Sequence, residues 1–132
     1  MTDLVYPQLS KSIIGASMAI LNELKPGLDE KLYENALVIE LEDRGHKVEQ
    51  QRRFDVHYRD HLIGTLIPDL IVDGFVVVDT KVVTGFNEHH IAQMIGYLAQ
   101  TQLPLALLVN FKYAKLQWKR VVRSASSAVS GK

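Results

Sequence analysis

The stretch Pro68-Asp69-Leu70-Ile71-Val72-Asp73-Gly74-Phe75-Val76-Val77-Val78-Asp79-Thr80-Lys81 places two carboxylates and an ammonium around a run that otherwise reads as buried β-sheet. Asp73-Gly74 is a strong short-range hairpin signal, so the run divides into two antiparallel strands. Burying ionisable groups among valines is costly unless they are paired or hold a metal, so such a cluster needs a reason. Residues two apart in a strand share a face, and Asp79 and Lys81 therefore project together in any register. The side taken by Asp69 depends on the turn. A two-residue turn at Asp73-Gly74 sets Val72 against Phe75 and Asp69 against Val78, sending Asp69 to the opposite face. A three-residue loop, Val72-Asp73-Gly74 with its glycine left-handed, pairs Asp69 with Val77 and returns it to the face of Asp79. Only that register, or an equivalent bulge, gathers the charges. Asp73 itself reads as a turn residue.

Two carboxylates on adjacent strands make an oxygen-rich site suited to Mg²⁺ or Mn²⁺. Lys81 beside them could stabilise the charge that builds up in phosphodiester cleavage, or orient or deprotonate the attacking water. A structural ion pair between Lys81 and either aspartate explains the same spacing equally well.

Upstream, Leu9, Ile13, Ile14, Ala16, Met18, Leu21 and Leu24 recur with helical period, and so do Leu28, Leu32, Tyr33, Ala36, Leu37, Ile39 and Leu41. Pro26-Gly27 separates these two helices, and Gly45 ends the second. From His46 the pattern shortens to strand-like segments: Val48, Phe54 to Tyr58, and Leu62 to Leu66 after an Arg59-Asp60-His61 turn. Downstream, Asn87 caps a third helix to about Gln102, with Ile91, Met94, Ile95 and Leu98 on one side. His90, Gln93 and Tyr97, at i, i+3 and i+7, form a separate polar stripe, as a helix lining a cleft would show. An ordinary solvated face is the competing reading, and His89 belongs to it. Leu105 to Val109 reads as a strand covered on both faces, and Lys115 to Val122 as a last strand. Arg52-Arg53 and the basic, aromatic run from Lys112 to Arg123 could contact phosphates or bases, but suit a charged edge strand better. The element order describes an α/β sandwich with a mixed sheet. Residues 1–123 make one domain, and the serine-rich residues 124–132 a flexible tail.

Fifteen basic residues balance fifteen acidic ones, so the strongly basic footprint common among nucleic-acid binders is missing. A local basic groove remains compatible with that balance. The apolar runs are too short to cross a bilayer, and the N-terminus lacks a secretory pattern. With no cysteine in the chain, a cytoplasmic location is expected. The five histidines lack a His-Glu-x-x-His spacing, and neither a Gly-x-Ser-x-Gly nor a phosphate-loop pattern occurs. Zinc protease, serine hydrolase and P-loop NTPase motifs are thus absent.

Pro68-Asp69 followed by Asp79-Thr80-Lys81 resembles the signature of the PD-(D/E)XK nuclease superfamily. Gly27-Leu28-Asp29-Glu30-Lys31-Leu32-Tyr33 is similar to the motif that names its GxxExxY family. The similarity continues through Gly45 to Gln50, His90 to Gln93 with Tyr97, and Leu107 to Phe111. The resemblance implies a restriction-endonuclease-like αβββαβ core, with a mixed central sheet flanked by helices, and Mg²⁺-dependent cleavage of nucleic acid. It implies Asp69 and Asp79 as metal ligands, assisted by Glu30, with Lys81 as catalytic lysine. Gln93 and Tyr97 match a pair that some branches use near the active site. Related sequences usually carry Glu-Leu-Lys where this chain has Asp79-Thr80-Lys81, one methylene shorter at the metal. Glu30 taken alone, near a helix start, is accounted for by the helix dipole.

The reading that follows is a Mg²⁺- or Mn²⁺-dependent nuclease hydrolysing phosphodiesters of nucleic acid, with DNA preferred to RNA as the substrate. His90, Gln93 and Tyr97 would shape its cleft, and a second copy or a recruiting protein would aid specificity. The alternative is a nuclease-like binding or assembly module without catalysis.

Overall fold

The computed structural model describes residues 6–123. In chain order the elements are α1 (Pro7–Leu24), α2 (Glu30–Asp43), β1 (Val48–Gln50), β2 (Phe54–Tyr58), β3 (His61–Leu66), β4 (Leu70–Val72), β5 (Val76–Lys81), α3 (Glu88–Thr101), β6 (Leu105–Asn110) and β7 (Gln117–Val122). One sheet holds five strands in the order β1-β4-β5-β6-β7, with β5 and β6 parallel and the other neighbours antiparallel. Taken along the chain, α2, β1, β4, β5, α3 and β6 reproduce the expected αβββαβ core. Helix α1 precedes it and β7 extends it as an edge strand.

The strands β2 and β3 depart from expectation. They pair only with each other, as a hairpin inserted between β1 and β4. Their alternation marks strands but does not say which sheet they join. Outside the central sheet they are covered only in part, where β2 touches α3, and Tyr58, Leu62 and Ile63 are 58%, 61% and 64% exposed.

Alternate residues of the central strands feed two apolar layers. Leu70, Val72, Val76, Val78, Leu107 and Val109 pack with Ile13, Tyr33, Leu37 and Leu41 of α1 and α2, while Val77, Ala106 and Leu108 pack with Met94 and Leu98 of α3. Coverage on both faces is why β5 and β6 read as continuous apolar runs. Each such buried aliphatic side chain contributes about 1.5–3 kcal/mol. Several together hold the charged end of β5 in place against its desolvation. Ile95, expected on the packed stripe of α3, is 55% exposed because the buried face centres on Met94 and Leu98.

The Gly27 to Tyr33 segment has a structural reason for two of its three marked positions. Gly27 takes φ 114°, which a side chain would strain. Tyr33 is fully buried and stacks on Phe111 with ring centres 4.7 Å apart and planes 6° apart. Its hydroxyl donates to the Lys25 carbonyl at 2.6 Å and accepts the Leu28 N–H at 3.1 Å, tying the α1–α2 link to α2. Glu30 is left to face elsewhere. No helix among the described residues is long and apolar enough to cross a membrane. The expected tail at 124–132 lies outside the described residues.

Candidate active site

Strands β4 and β5 pair as Leu70↔Val78, Ile71↔Val77 and Val72↔Val76. The connection is therefore Asp73-Gly74-Phe75, one residue later than the expected loop. Asp73 and Gly74 have φ of 54° and 73°, and the Phe75 N–H donates to the Val72 carbonyl at 3.0 Å, as in a tight hairpin turn. Phe75 is then one extra residue before pairing resumes, and its ring stacks on Tyr6. This corrects the expected pairing of Asp69 with Val77. Extending the ladder by one pair sets Asp69 against Asp79, two places along but with the same parity, so both remain on one side.

The contact is direct. The Asp69 N–H donates to Asp79 Oδ1 at 3.1 Å, and Asp69 Oδ2 accepts both the N–H and the hydroxyl of Thr80, at 3.0 and 3.2 Å. Asp79 is only 4% exposed. Burial first, and the neighbouring Asp69 second, push its carboxyl up to about 7. Burial raises Asp69 as well, against the Thr80 hydrogen bonds. Lys81 Nζ lies 3.8 Å from Asp79 Oδ2 and donates to Gln93 Oε1 at 3.4 Å. Beyond Lys81 the chain is held by the buried Asn110, which accepts the Val83 N–H and donates to the Val83 carbonyl.

Helix α3 brings Gln93 and Tyr97 to this cluster. Gln93 Nε2 donates to the Tyr97 hydroxyl at 3.2 Å. Burial, then the charges of Asp79 and Asp69, push the Tyr97 phenol up to about 12, so it stays protonated at neutral pH. His90 shares their helical side, but its ring turns back to the helix start. Its Nδ1 accepts the Asn87 N–H at 3.1 Å while Asn87 Oδ1 accepts the His90 N–H at 3.0 Å, a reciprocal cap. Partial burial, then Lys81 and His89, lower the His90 pKa. His89 is exposed.

Helix α2 supplies Glu30. Partial burial of its carboxyl and the charge of Asp69 raise its pKa, with Lys81 and the backbone of Val82, just past β5, pulling the other way. One turn further lies Glu34, a buried carboxylate that sequence reasoning missed. Its Oε2 accepts from Lys31, Gln50 and Gln51 at 3.1, 2.8 and 2.9 Å, and its charge helps raise Asp69. The i, i+4 spacing from Glu30 was the available signal. The glutamines that hold it come from the end of β1 and beyond.

The residues fit a hard divalent cation. Asp69, Asp79 and Glu30 offer oxygen donors; the charge of Asp69 helps raise Glu30 and Asp79, that of Glu30 helps raise Asp79, and a cation placed among them would relieve this repulsion. Among the described residues, no three His, Cys, Asp or Glu side chains converge as a ready-made cage.

No curated protein matches the sequence. Among solved structures, the chain is similar to an alkaline exonuclease (LHK-Exo) from Laribacter hongkongensis, with 15% identity and a TM-score of 0.56 over 98% of this chain and 76% of that one. At that identity the likeness is one of fold. The model of the PD-(D/E)XK nuclease superfamily, whose members generally use divalent metal ions, matches residues 7–121. A match running from the first residue of α1 into β7, over a site with this pair of aspartates and this lysine, means that the chain belongs to the PD-(D/E)XK nuclease superfamily.

Proposed function

We propose that the chain is a metal-dependent nuclease that hydrolyses phosphodiester bonds in DNA, with Mg²⁺ or Mn²⁺ as its cofactor. The observation that carries this reading is the crowding of Asp69 and Asp79 at the end of one hairpin, with Lys81 Nζ 3.8 Å from the buried Asp79. Two adjacent carboxylates in low dielectric destabilise each other unless a cation answers them. Lys81 answers only in part, since it also turns to Gln93.

Asp69 and Asp79 would hold the metal, with Glu30 at the rim. When bound, the metal supplies a Lewis acid at the scissile phosphate and lowers the pKa of a coordinated water. Lys81 is placed to stabilise the negative charge gathering on the phosphoryl oxygens, or to orient the attacking water. Gln93 fixes the lysine, and Tyr97 fixes Gln93 by accepting its amide hydrogen, leaving its own hydroxyl hydrogen to donate into the cleft. His90 shapes the cleft where α3 begins. The finer assignment to the GxxExxY family rests on Gly27, Glu30 and Tyr33, and specificity would draw on a second copy or a recruiting protein.

The test is incubation of purified protein with plasmid, single-stranded DNA and RNA, in Mg²⁺, Mn²⁺ or EDTA, beside Asp79→Ala and Lys81→Ala. DNA cleavage that needs metal and disappears in both variants is expected. Preference for RNA would correct the substrate. No metal-dependent cleavage by the wild type would leave a nuclease-like binding or assembly module.

A further inference from the structure

A second constellation lies at the other end of the same hairpin. Asp73 Oδ2 is 2.7 Å from His46 Nδ1, and His46 Nε2 is 2.7 Å from Ser12 Oγ. Asp73 Oδ1 accepts the Lys47 N–H at 2.8 Å, so both carboxylate oxygens are engaged. Burial works against ionisation of Asp73, but the hydrogen bonds from His46 and from the Lys47 amide outweigh it and hold the carboxyl below its usual range. An ionised carboxylate only accepts. In the neutral imidazole, Nδ1 therefore carries the proton, Nε2 presents its lone pair, and the Ser12 hydroxyl donates to it. This is the order of contacts that activates a serine: a nucleophile on a base, and a base oriented by a carboxylate.

Ser12 also opens on space. A groove of about 760 Å³ between α1 and β7 is lined by Ser12, by the apolar Ile14, Met18 and Trp118, and by the basic Lys11, Arg44 and Arg120. Gly15, one turn beyond Ser12 on the same helix side, leaves room for Arg44: a Cβ at position 15 would sit 3.3 Å from Arg44 Nη1. Arg44 Nε is paired with Glu40 at 2.8 Å, which fixes the guanidinium with its Nη1 end toward α1. Nucleophile, base, orienting acid and a groove with apolar walls and a basic rim thus meet away from the nuclease residues. The three residues are 34 and 27 positions apart, so no local motif marks them. Such sites are recognised by geometry and roles.

We propose that Ser12 is an activated nucleophile toward carboxylic esters with an apolar acyl group, with His46 as its general base and Asp73 as the positioning residue. Ser12 Oγ attacks the ester carbonyl while its proton passes to His46 Nε2. Collapse of the tetrahedral adduct breaks the ester C–O bond, the departing alcohol takes the proton from His46, and the acyl group stays on Ser12. Water then attacks by the same route, giving its proton to His46, and the carboxylic acid leaves as Ser12 recovers that proton. Ser12 lies in the second turn of α1, so its own N–H is spent within the helix. Arg44, which lines the same groove as Ser12, would then take the place of a backbone amide in stabilising the oxyanion.

The test uses the whole chain with a fluorophosphonate probe, followed by intact mass and peptide mapping, and in parallel with p-nitrophenyl butyrate. A single adduct on Ser12 and ester hydrolysis that persists in EDTA are expected, both absent in Ser12→Ala and His46→Ala. Asp73→Asn should slow both by about tenfold or more, since it disturbs the tautomer while keeping the shape. Melting curves confirm that each variant is folded, and Ser12→Ala removes only a hydroxyl. No adduct on Ser12 of the folded wild type overturns the proposal. So does labelling that folded His46→Ala leaves at the wild-type rate; the contacts are then only a tie between α1, α2 and the turn.

Discussion

Three aspartates sit on one hairpin, and its two ends treat them in opposite ways. At the open end, burial raises both Asp69 and Asp79, with the charge of Glu34 adding to the first and that of Asp69 to the second, which is pushed up to about 7. At the turn, His46 and the Lys47 amide hold Asp73 low. Residue type is the same, so the difference lies in what answers the charge. Asp73 is answered by two donors at hydrogen-bond distance and is partly exposed, whereas the buried Asp79 has one, the Asp69 N–H at 3.1 Å, with a second carboxylate beside it and an ammonium only at 3.8 Å. A charge answered within the chain can be spent on structure or on orienting a neighbour. A charge left partly unanswered in a dry place calls for a ligand of opposite sign.

The contrast fails most visibly if the open end is dispensable. Asp79→Ala and Lys81→Ala should each reduce metal-dependent DNA cleavage by about a hundredfold or more in a plasmid assay. Stability against pH sharpens it next. The Asp79 carboxyl titrates at about 7 when folded, against about 3.9 unfolded. Its stabilisation is therefore fully present below about pH 4 and is lost as pH rises through about 7. In EDTA at pH 8, Asp79→Asn should melt about 3–6 °C above the wild type, the shift that roughly 1 kcal/mol produces at this size. The gap should close near pH 4, and Mg²⁺ at pH 8 should raise the wild type more than the variant.

Asp73 runs the other way. Its folded pKa is depressed, so its stabilisation is present above about 3.9 and is lost as pH falls through the folded value. Asp73→Ala should cost about 1 kcal/mol at pH 7 in urea unfolding, and less below pH 4. The smallest effect belongs to Thr80→Val, which removes one hydroxyl bond to Asp69 and leaves the backbone bond. A loss of about 0.5–1 kcal/mol is expected by the same measurement.

Local periodicity made part of this legible. Asp79 and Lys81 share a face because strands repeat every two residues, and Gln93 and Tyr97 share one because they stand four apart on a helix. What stayed hidden depends on partners distant in the chain. The alternation of Phe54 to Leu66 is the same whether those residues join the main sheet or stand apart. Asp73-Gly74 announces a turn, but the extra residue at Phe75 decides the register, and nothing adjacent marks it. His90 has the spacing of a cleft residue, yet its ring is drawn to the Asn87 amide. Glu34 gains its setting from Gln50 and Gln51, and Ser12 from a histidine on another segment.

The stacked rings of Tyr33 and Phe111 join the two sides of the proposed nuclease site. The Phe111 N–H donates to the Lys81 carbonyl at 2.9 Å, and Tyr33 stands one turn along α2 from Glu30. A smaller side chain at either position would leave a void between the elements that carry the lysine and the glutamate. Inheritance should therefore treat the two positions as one unit, a change at 33 being tolerated in lineages that compensate at 111. A library randomised at both and selected for folding should return matched pairs of ring sizes, with few independent choices.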